Sequence, residues 1–475
     1  MSRLRAAEGP EPSRASVDGM KGRGRRRWLI PAVAALVAVS IGAAISTAGT
    51  VVALVAPTVL GILLLIALVH GLTSWAEDPA ERERVLHWTL WAFFGHLLFG
   101  LVVINVPTAT RYLAADSATY HALAQDILRH WTSGFPMPQL GGGKEGYYYL
   151  LAGIYWVFGV HTAAGLAVNA MFAAALVPVA TDLTHELFGE RPARYAAPLV
   201  VLFPSIFIWT SQLLKEAVVL FLIVTAADCA AHLARRVSLG ATAAMGLSVS
   251  LLFAVRGFIG AAVAVALIVA IFLGSGQFVR GLSTSVVALS VFAVLVFAAG
   301  VGYSGYHFIT DTNLEFANNA RSDLAQTGAT GFARNADIST TRRAIAFLPV
   351  GVVAVGAGPF PWKLSGARQL PALLDVLVWW ALLVSLARGV AVAWRSIGRR
   401  IAVLVLPAVS VLIPLALIIG NYGTVIRERT QLVVLVVPLI ALGMSSRRED
   451  AEGDDAALPP PVAILANGKQ PATSV

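Results

Sequence analysis

The chain holds a single cysteine, Cys229, so it can form no intramolecular disulfide and carries no CxxC metal-binding pair. Charge is scarce as well. Asp, Glu, Lys and Arg make up 13% of its 475 residues, about half the share found in soluble globular domains. Walker, HExxH, GxSxG and dinucleotide-binding fingerprints are missing, and no nucleic-acid-binding motif is present. The apolar runs are continuous rather than alternating, which argues against a transmembrane β-barrel. The net charge of +9 is not a nucleic-acid signal. Much of the excess lies near the N-terminus and in short loops, where the cytoplasmic ends of membrane helices collect Lys and Arg.

Hydrophobic residues, in contrast, make up 57% of the chain. It reads as an all-α polytopic membrane protein with about 11–13 transmembrane helices, each needing about 20 mostly apolar residues. Candidate spans fall at 28–46, 50–72, 86–106, 146–160, 163–187, 195–211, 214–234, 238–255, 257–275, 282–302, 371–394, 401–420 and 430–446. Residues 28–446 form the transmembrane domain. Residues 1–27, rich in Arg, Pro, Gly and Ser, read as a disordered basic tail, and 447–475 as a second disordered tail. The apolar stretch from Trp28 to Leu72 is too long for the core of a signal peptide. The segment 344–358, short and containing Pro349, reads as re-entrant or interfacial.

Basic residues set the expected orientation. Arg82 and Arg84, the 394–400 stretch and Arg447–Arg448 belong inside, which puts both termini in the cytoplasm of a multi-pass plasma-membrane protein. The polar stretches 107–145 and 303–343 then become external loops. One conflict remains. Alternate counting from 107–145 places Arg235 and Arg236 outside, against the same rule. Some segment among 146–211 therefore fails to cross, or the Arg pair is an exception. The suspect is 195–211, which carries Pro198 and Pro204.

The stretch AADSATYHALAQDILRHW, 114–131, is too short and too polar to span. Tyr120, Leu123, Ile127 and Trp131 make one helical stripe, with His121, Gln125 and Arg129 on another face. It reads as an external amphipathic helix lying in the interface, with Tyr120 and Trp131 at headgroup level. Asp116 has two compatible readings. It is a helix N-cap, or a carboxylate at the membrane–water boundary able to take a proton from a hydroxyl.

Further along, GGGKEGYYYLLAGIYWVFG (141–159) brings Glu145 and Tyr147, Tyr148 and Tyr149 to the lip of a span. The tyrosines suit an aromatic belt, or a face for a sugar ring beside Glu145. Lys215 and Glu216 lie in an apolar setting, where charges cost roughly 2.5–3.5 kcal/mol each on insertion scales and are usually paired or functional. They are either a charged turn or part of a site. Arg256 stands alone between two apolar runs, as a functional residue or a turn residue reaching the interface. In GNYGTVIRERTQLVVLVVP (420–438), Arg427 and Arg429 flank Glu428 in an expected external loop. Arg there is contrary to the positive-inside bias, and its forked donors match phosphate. The bland reading is an ion-paired turn.

An apolar span, an external loop with an acid before an interfacial helix, and a Gly/Tyr-rich lead into a span ending VFG resemble the glycosyltransferase C superfamily. So do FPSIFIWTSQLLKEAVVLFL (203–222) and the late GT..R.R loop, which look like stretches of a bacterial subset of these enzymes. The resemblance covers roughly residues 86–300 and that late loop. It implies a polytopic enzyme that takes a sugar from a polyprenyl-phosphate carrier, with the catalytic Asp in the first external loop, where Asp116 stands. Arg427 and Arg429, with Lys215 or Arg256, would hold the donor phosphate. The family often has Asp-Glu where this chain has Asp116-Ser117. The candidates for a second acid are Glu145, Asp182, Glu186 and Glu190. No cofactor is assigned, a divalent metal is left open, and no metal ligand is named. The expected partners are a lipid-linked sugar donor, membrane lipids and a glycan or lipid acceptor, with no nucleic acid. Two other functions stay in view: a flippase or transporter of a lipid-linked sugar, and a surface polysaccharide polymerase.

Overall fold

A computed structural model describes residues 48–140, 143–275, 313–328, 330–363 and 370–457. The expected spans 28–46 and 282–302, the first tail, and residues 303–312 of the second expected loop lie outside these residues, as do 458–475. The chain is an all-α, multi-pass membrane protein. Its helices run α1 Ala48–Leu72, α2 Pro79–Asn105, α3 Pro107–Leu113, α4 Ser117–Ser133, α5 Glu145–Phe158, α6 Thr162–Phe188, α7 Glu190–Leu202 and α8 Pro204–Thr210. They continue as α9 Glu216–Arg235, α10 Leu239–Val255, α11 Gly257–Gly274, α12 Leu314–Thr327, α13 Thr341–Ala357, α14 Leu370–Ser396, α15 Ala402–Ile418 and α16 Tyr422–Ala457. The last helix thus runs past the start of the tail expected to be disordered.

Among the described residues seven helices are long and apolar enough to cross a membrane, or eight if α7 and α8, bent by 55°, count as one span. Local chemistry explains several boundaries. Asp78 caps α2 by accepting from the Ala80 amide at 2.9 Å, with Pro79 in the first turn, where its missing N–H costs nothing. Pro204 breaks the α7–α8 ladder and opens the second half of the bent pair. α16 is buried without interruption from Leu432 to Leu442, as befits a helix that is apolar all round. It meets α14 backbone to backbone. A Cβ on Gly389 would lie 1.8 Å from the Leu439 carbonyl oxygen, and one on Gly443 would lie 1.9 Å from that of Ser385. Small residues facing each other this way are a standard device of membrane helix pairs.

The conflict over Arg235 and Arg236 has a structural explanation in a different segment from the one suspected. α5 has 14 residues, about 21 Å of helix against a hydrocarbon core of about 30 Å. It folds back beside the first turns of α6. The Tyr147 hydroxyl donates to Asn169 Oδ1 at 3.2 Å, and Leu151 packs against Gly165. α6 and α9 then run side by side in the same direction. Asn169 holds the start of α9 and Glu186 meets Arg235 near its end. Arg235 therefore lies at the end of the bundle away from Asp116.

Candidate functional site

Asp116 sits in the short link between α3 and α4. It occupies the N-cap position, yet its carboxylate makes no capping hydrogen bond, which corrects the capping expectation. The carboxylate turns instead to Arg427, near the start of α16, and accepts from Nη1 at 2.9 Å. Behind that pair lies a row of alternating charges. Arg427 Nε is 3.3 Å from Glu216 Oε1 and 3.6 Å from Glu428 Oε1. Glu428 Oε2 takes Arg256 Nη1 at 2.6 Å and Gln431 Nε2 at 2.6 Å. Lys215 Nζ lies 3.7 Å from Glu216 and 3.5 Å from the Tyr120 hydroxyl.

The elements explain the convergence. Asn169 Nδ2 donates to the carbonyls of Gln212 and Leu214 at 2.7 and 2.8 Å. That pins the non-helical 211–215 stretch and sets Lys215 and Glu216 at the head of α9. Arg256 is the break between α10 and α11, so its side chain projects from a junction rather than from a helix face. Gly146 lets α5 press on the backbone of Ala254, since a Cβ there would come within 2.8 Å of it. Tyr120 packs between Tyr147 and Tyr148, ring centroids 5.1 and 5.4 Å away.

Exposure falls with depth. The Asp116 side chain is 45% exposed and Arg427 21%, whereas Glu216, Lys215 and Glu428 are at 4% or less, so a ligand would meet the Asp116–Arg427 pair first. Burial works to raise the Asp116 pKa, but the charge and hydrogen bond of Arg427, with Lys144 and Lys215 further off, hold it below the ordinary carboxylate value. Burial, then the charge of Glu216, pushes the Tyr120 phenol up, so it stays a hydroxyl donor. Glu216 Oε1 and Arg427 Nε lie in ion-pair range yet make no hydrogen bond, and Glu216 Oε2 is likewise buried without one, unusual for buried groups.

The charges balance: Arg427, Arg256 and Lys215 against Asp116, Glu216 and Glu428. Arg427 stands between the two carboxylates nearest the mouth. A divalent metal does not fit between these carboxylates as they stand: it would have to displace the Arg427 guanidinium, and the remaining acid nearby, Glu145, lies on the rim rather than beside Asp116.

Of the residues singled out in the sequence, Asp116, Arg427, Lys215 and Arg256 come together. Tyr148 borders them through Tyr120, and Glu145 begins α5 on the rim. Arg429 does not join them, a correction to its pairing with Arg427. Two residues along a helix is a turn of about 200°, and Arg429 faces the opposite way. Fully buried, it donates to Asp375 Oδ2 at 2.5 Å and to the Gly358 carbonyl, with its guanidinium 5.5 Å from the Trp379 ring. Asp375 Oδ1 accepts from the Ser205 amide at 2.9 Å, so this clamp ties α8, α14 and α16. Tyr120 is not on an outward face but 2% exposed, inside the cluster. His121 meets the Tyr155 hydroxyl at 2.7 Å, while Trp131 stays exposed beside Tyr149. Asp182, Glu186 and Glu190 lie far from Asp116. The sequence offers Glu216 only beside Lys215 as part of a charged turn or a site and Glu428 only as the acid between two arginines, and it gives no role to Asp375, which lies inside an apolar run. A charge in such a run was the available signal for all three.

No family model matches the chain, and no curated protein matches it. Among solved structures it is similar to an archaeal oligosaccharyltransferase, AglB from Archaeoglobus fulgidus, in complex with an inhibitory peptide and a dolichol-phosphate, at 14% identity and a TM-score of 0.48. The match covers 80% of this chain and 52% of that one, so the chain spans about half the length of that protein.

Proposed function

We propose that the protein is a membrane glycosyltransferase of the C class, moving a sugar from a polyprenyl-phosphate carrier to a glycan or lipid acceptor at the Asp116 end of the bundle. The observation that carries this reading is the Asp116–Arg427 pair: a carboxylate and a phosphate-matching guanidinium at 2.9 Å, at the mouth of a buried charged cluster. The motif resemblance to that superfamily adds to it.

In this reading the donor phosphate competes with Asp116 for Arg427, whose forked donors suit it. Once Arg427 turns to the phosphate, Asp116 loses the charge that depresses its pKa and becomes a stronger base. The acceptor hydroxyl then gives its proton to Asp116 as its oxygen bonds to the anomeric carbon. The bond from that carbon to the phosphate oxygen breaks, and polyprenyl phosphate leaves with its charge held by Arg427 and Lys215. The Glu216 oxygens are acceptors for sugar hydroxyls. Glu428 and Arg256 hold Arg427 from behind. No metal enters the scheme, because the cluster is already balanced.

The test is an assay of the purified chain in liposomes with labelled polyprenyl-phosphate sugars and a mixed acceptor pool. Label should leave the lipid and appear on acceptor. Label that crosses the bilayer still attached to its lipid would overturn the proposal in favour of a flippase.

A further inference from the structure

At the other end of α6 and α9 lies a second polar cluster that the Asp116 site does not use. Asp182 and Glu186 are one turn apart on α6, and Asp228 and His232 are one turn apart on α9. Asp182 is 13 residues beyond Asn169, about 20 Å along the helix. We propose that Asp182, Asp228 and His232 bind one divalent transition-metal ion, which joins α6 to α9.

Three observations carry this. The first is geometry. Asp182 Oδ2 lies 3.3 Å and Asp228 Oδ1 3.8 Å from His232 Nε2, and one ligand atom from each residue falls within 4.8 Å of the others. Ligands about 2.1 Å from a tetrahedral ion stand about 3.4 Å apart. The second is the support behind the imidazole. His232 Nδ1 faces Glu186 Oε2 at 3.4 Å, and Glu186 is anchored by Arg235 at 3.0 Å. An acceptor at Nδ1 fixes the proton there and leaves the Nε2 lone pair for the metal, the usual carboxylate–histidine–metal arrangement.

The third is Asp228. Its side chain is 6% exposed, and Oδ1 is buried without a hydrogen-bond partner while pointing into the cluster. A protonated His232 would spend its two donors on Asp182 and Glu186 and still leave Asp228 unmatched. Charge gives the same answer. With His232 neutral, the cation ion-paired to any of Asp182, Asp228 and Glu186 among the described residues is Arg235, and it pairs with Glu186. Among the described residues, the ion pairs drawn to Asp182 and Asp228 come from His232. Arg400 borders Glu186 and Arg235 from the side of a small cavity. The acids nearest the centre are thus left in excess, in contrast to the balanced cluster at Asp116. One nitrogen and two carboxylates suit zinc, manganese or ferrous iron better than calcium or magnesium, which take oxygen alone.

The experiment uses the full chain in detergent, stripped with a chelator. Zinc is titrated against a competing indicator, and cobalt is added separately for its visible spectrum. We expect one zinc per chain, cobalt bands showing nitrogen and oxygen ligands at low coordination number, and a rise in melting temperature on adding zinc. Glu186→Gln should weaken binding about 10- to 100-fold, and Asp228→Asn or His232→Gln more than that. Asp228→Asn keeps its shape and removes an unmatched charge, so it should fold as well as the parent without metal. Wild-type protein that binds no zinc, or Asp228→Asn that binds it equally well, would overturn the proposal. So would a cobalt spectrum of the hexahydrated ion, which reads the site without any substitution.

Discussion

Arg427 and Arg429 lie two residues apart on one helix and face opposite ways: Arg427 reaches Asp116 at 2.9 Å, and Arg429 reaches Asp375 at 2.5 Å. One looks toward the mouth and the other is sealed. Their alanine variants should therefore fail differently. Arg429→Ala leaves Asp375 buried and unpaired, at a cost of about 3–5 kcal/mol, read as a large drop in melting temperature. The protein that stays folded should keep its donor KM. Arg427→Ala takes a partner from the buried Glu216 and should also lose stability, but the protein that stays folded should show a donor KM raised about ten- to hundredfold, the worth of a charged hydrogen bond. A normal donor KM in Arg427→Ala would remove the phosphate role.

Asp116→Asn removes the base and preserves the shape. Transfer should fall about 10²- to 10⁴-fold with little change in melting temperature, because the side chain is part exposed and caps no helix. Wild-type turnover in this variant would end the assignment.

The pH dependence follows from Arg427. The folded pKa of Asp116 lies below its unfolded value. Its contribution to stability is therefore complete above the unfolded carboxylate pKa of about 3.9 and is lost only as pH falls through the lower folded value. Asp116 should add no slope to stability between about pH 5 and about pH 8. In Arg427→Gln the acid limb of kcat/KM should move to higher pH, since the carboxylate is no longer held down. A limb that stays put or moves down would mean Asp116 is not the group being read.

Arg256 and Glu428 form the floor of the cluster at 2.6 Å. Arg256→Met alone strands a buried carboxylate and should cost about 3–5 kcal/mol. Adding Glu428→Gln, which still accepts from Gln431, should recover most of that loss. Chemical or thermal denaturation of the three variants measures the coupling, and simple additivity would mean the pair contributes nothing as a pair.

The helical, membrane-spanning character was plain from the length of the apolar runs, and Lys215 and Arg256 stood out as charges that an apolar setting penalises; Asp116 and Arg427 stood out instead by their place in expected external loops. What the sequence hid was direction. Nothing in RER says that its two arginines part company, because the helix of α16 begins earlier than its apolar run suggests. Pro198 and Pro204 mark a segment that the structure bends by 55° at its break. The segment that turns back, α5, looked like a span because its three tyrosines and the apolar run behind them read as membrane-facing, whereas Tyr147 and Tyr148 are buried against α4 and α6. Asp182 and Glu186 were seen as acids, but not that α9 would supply a histidine beside them.

Asn169 has a consequence for how the chain is made. Its amide ends up on the carbonyls of Gln212 and Leu214, which are synthesised more than forty residues later. A polar side chain left waiting in lipid is costly. Tyr147, its other partner, precedes it in the chain. The hairpin of α5 and α6 can therefore close first, sheltering the amide until the kinked stretch arrives to claim it, and the order of emergence then matches the order in which the cluster is built.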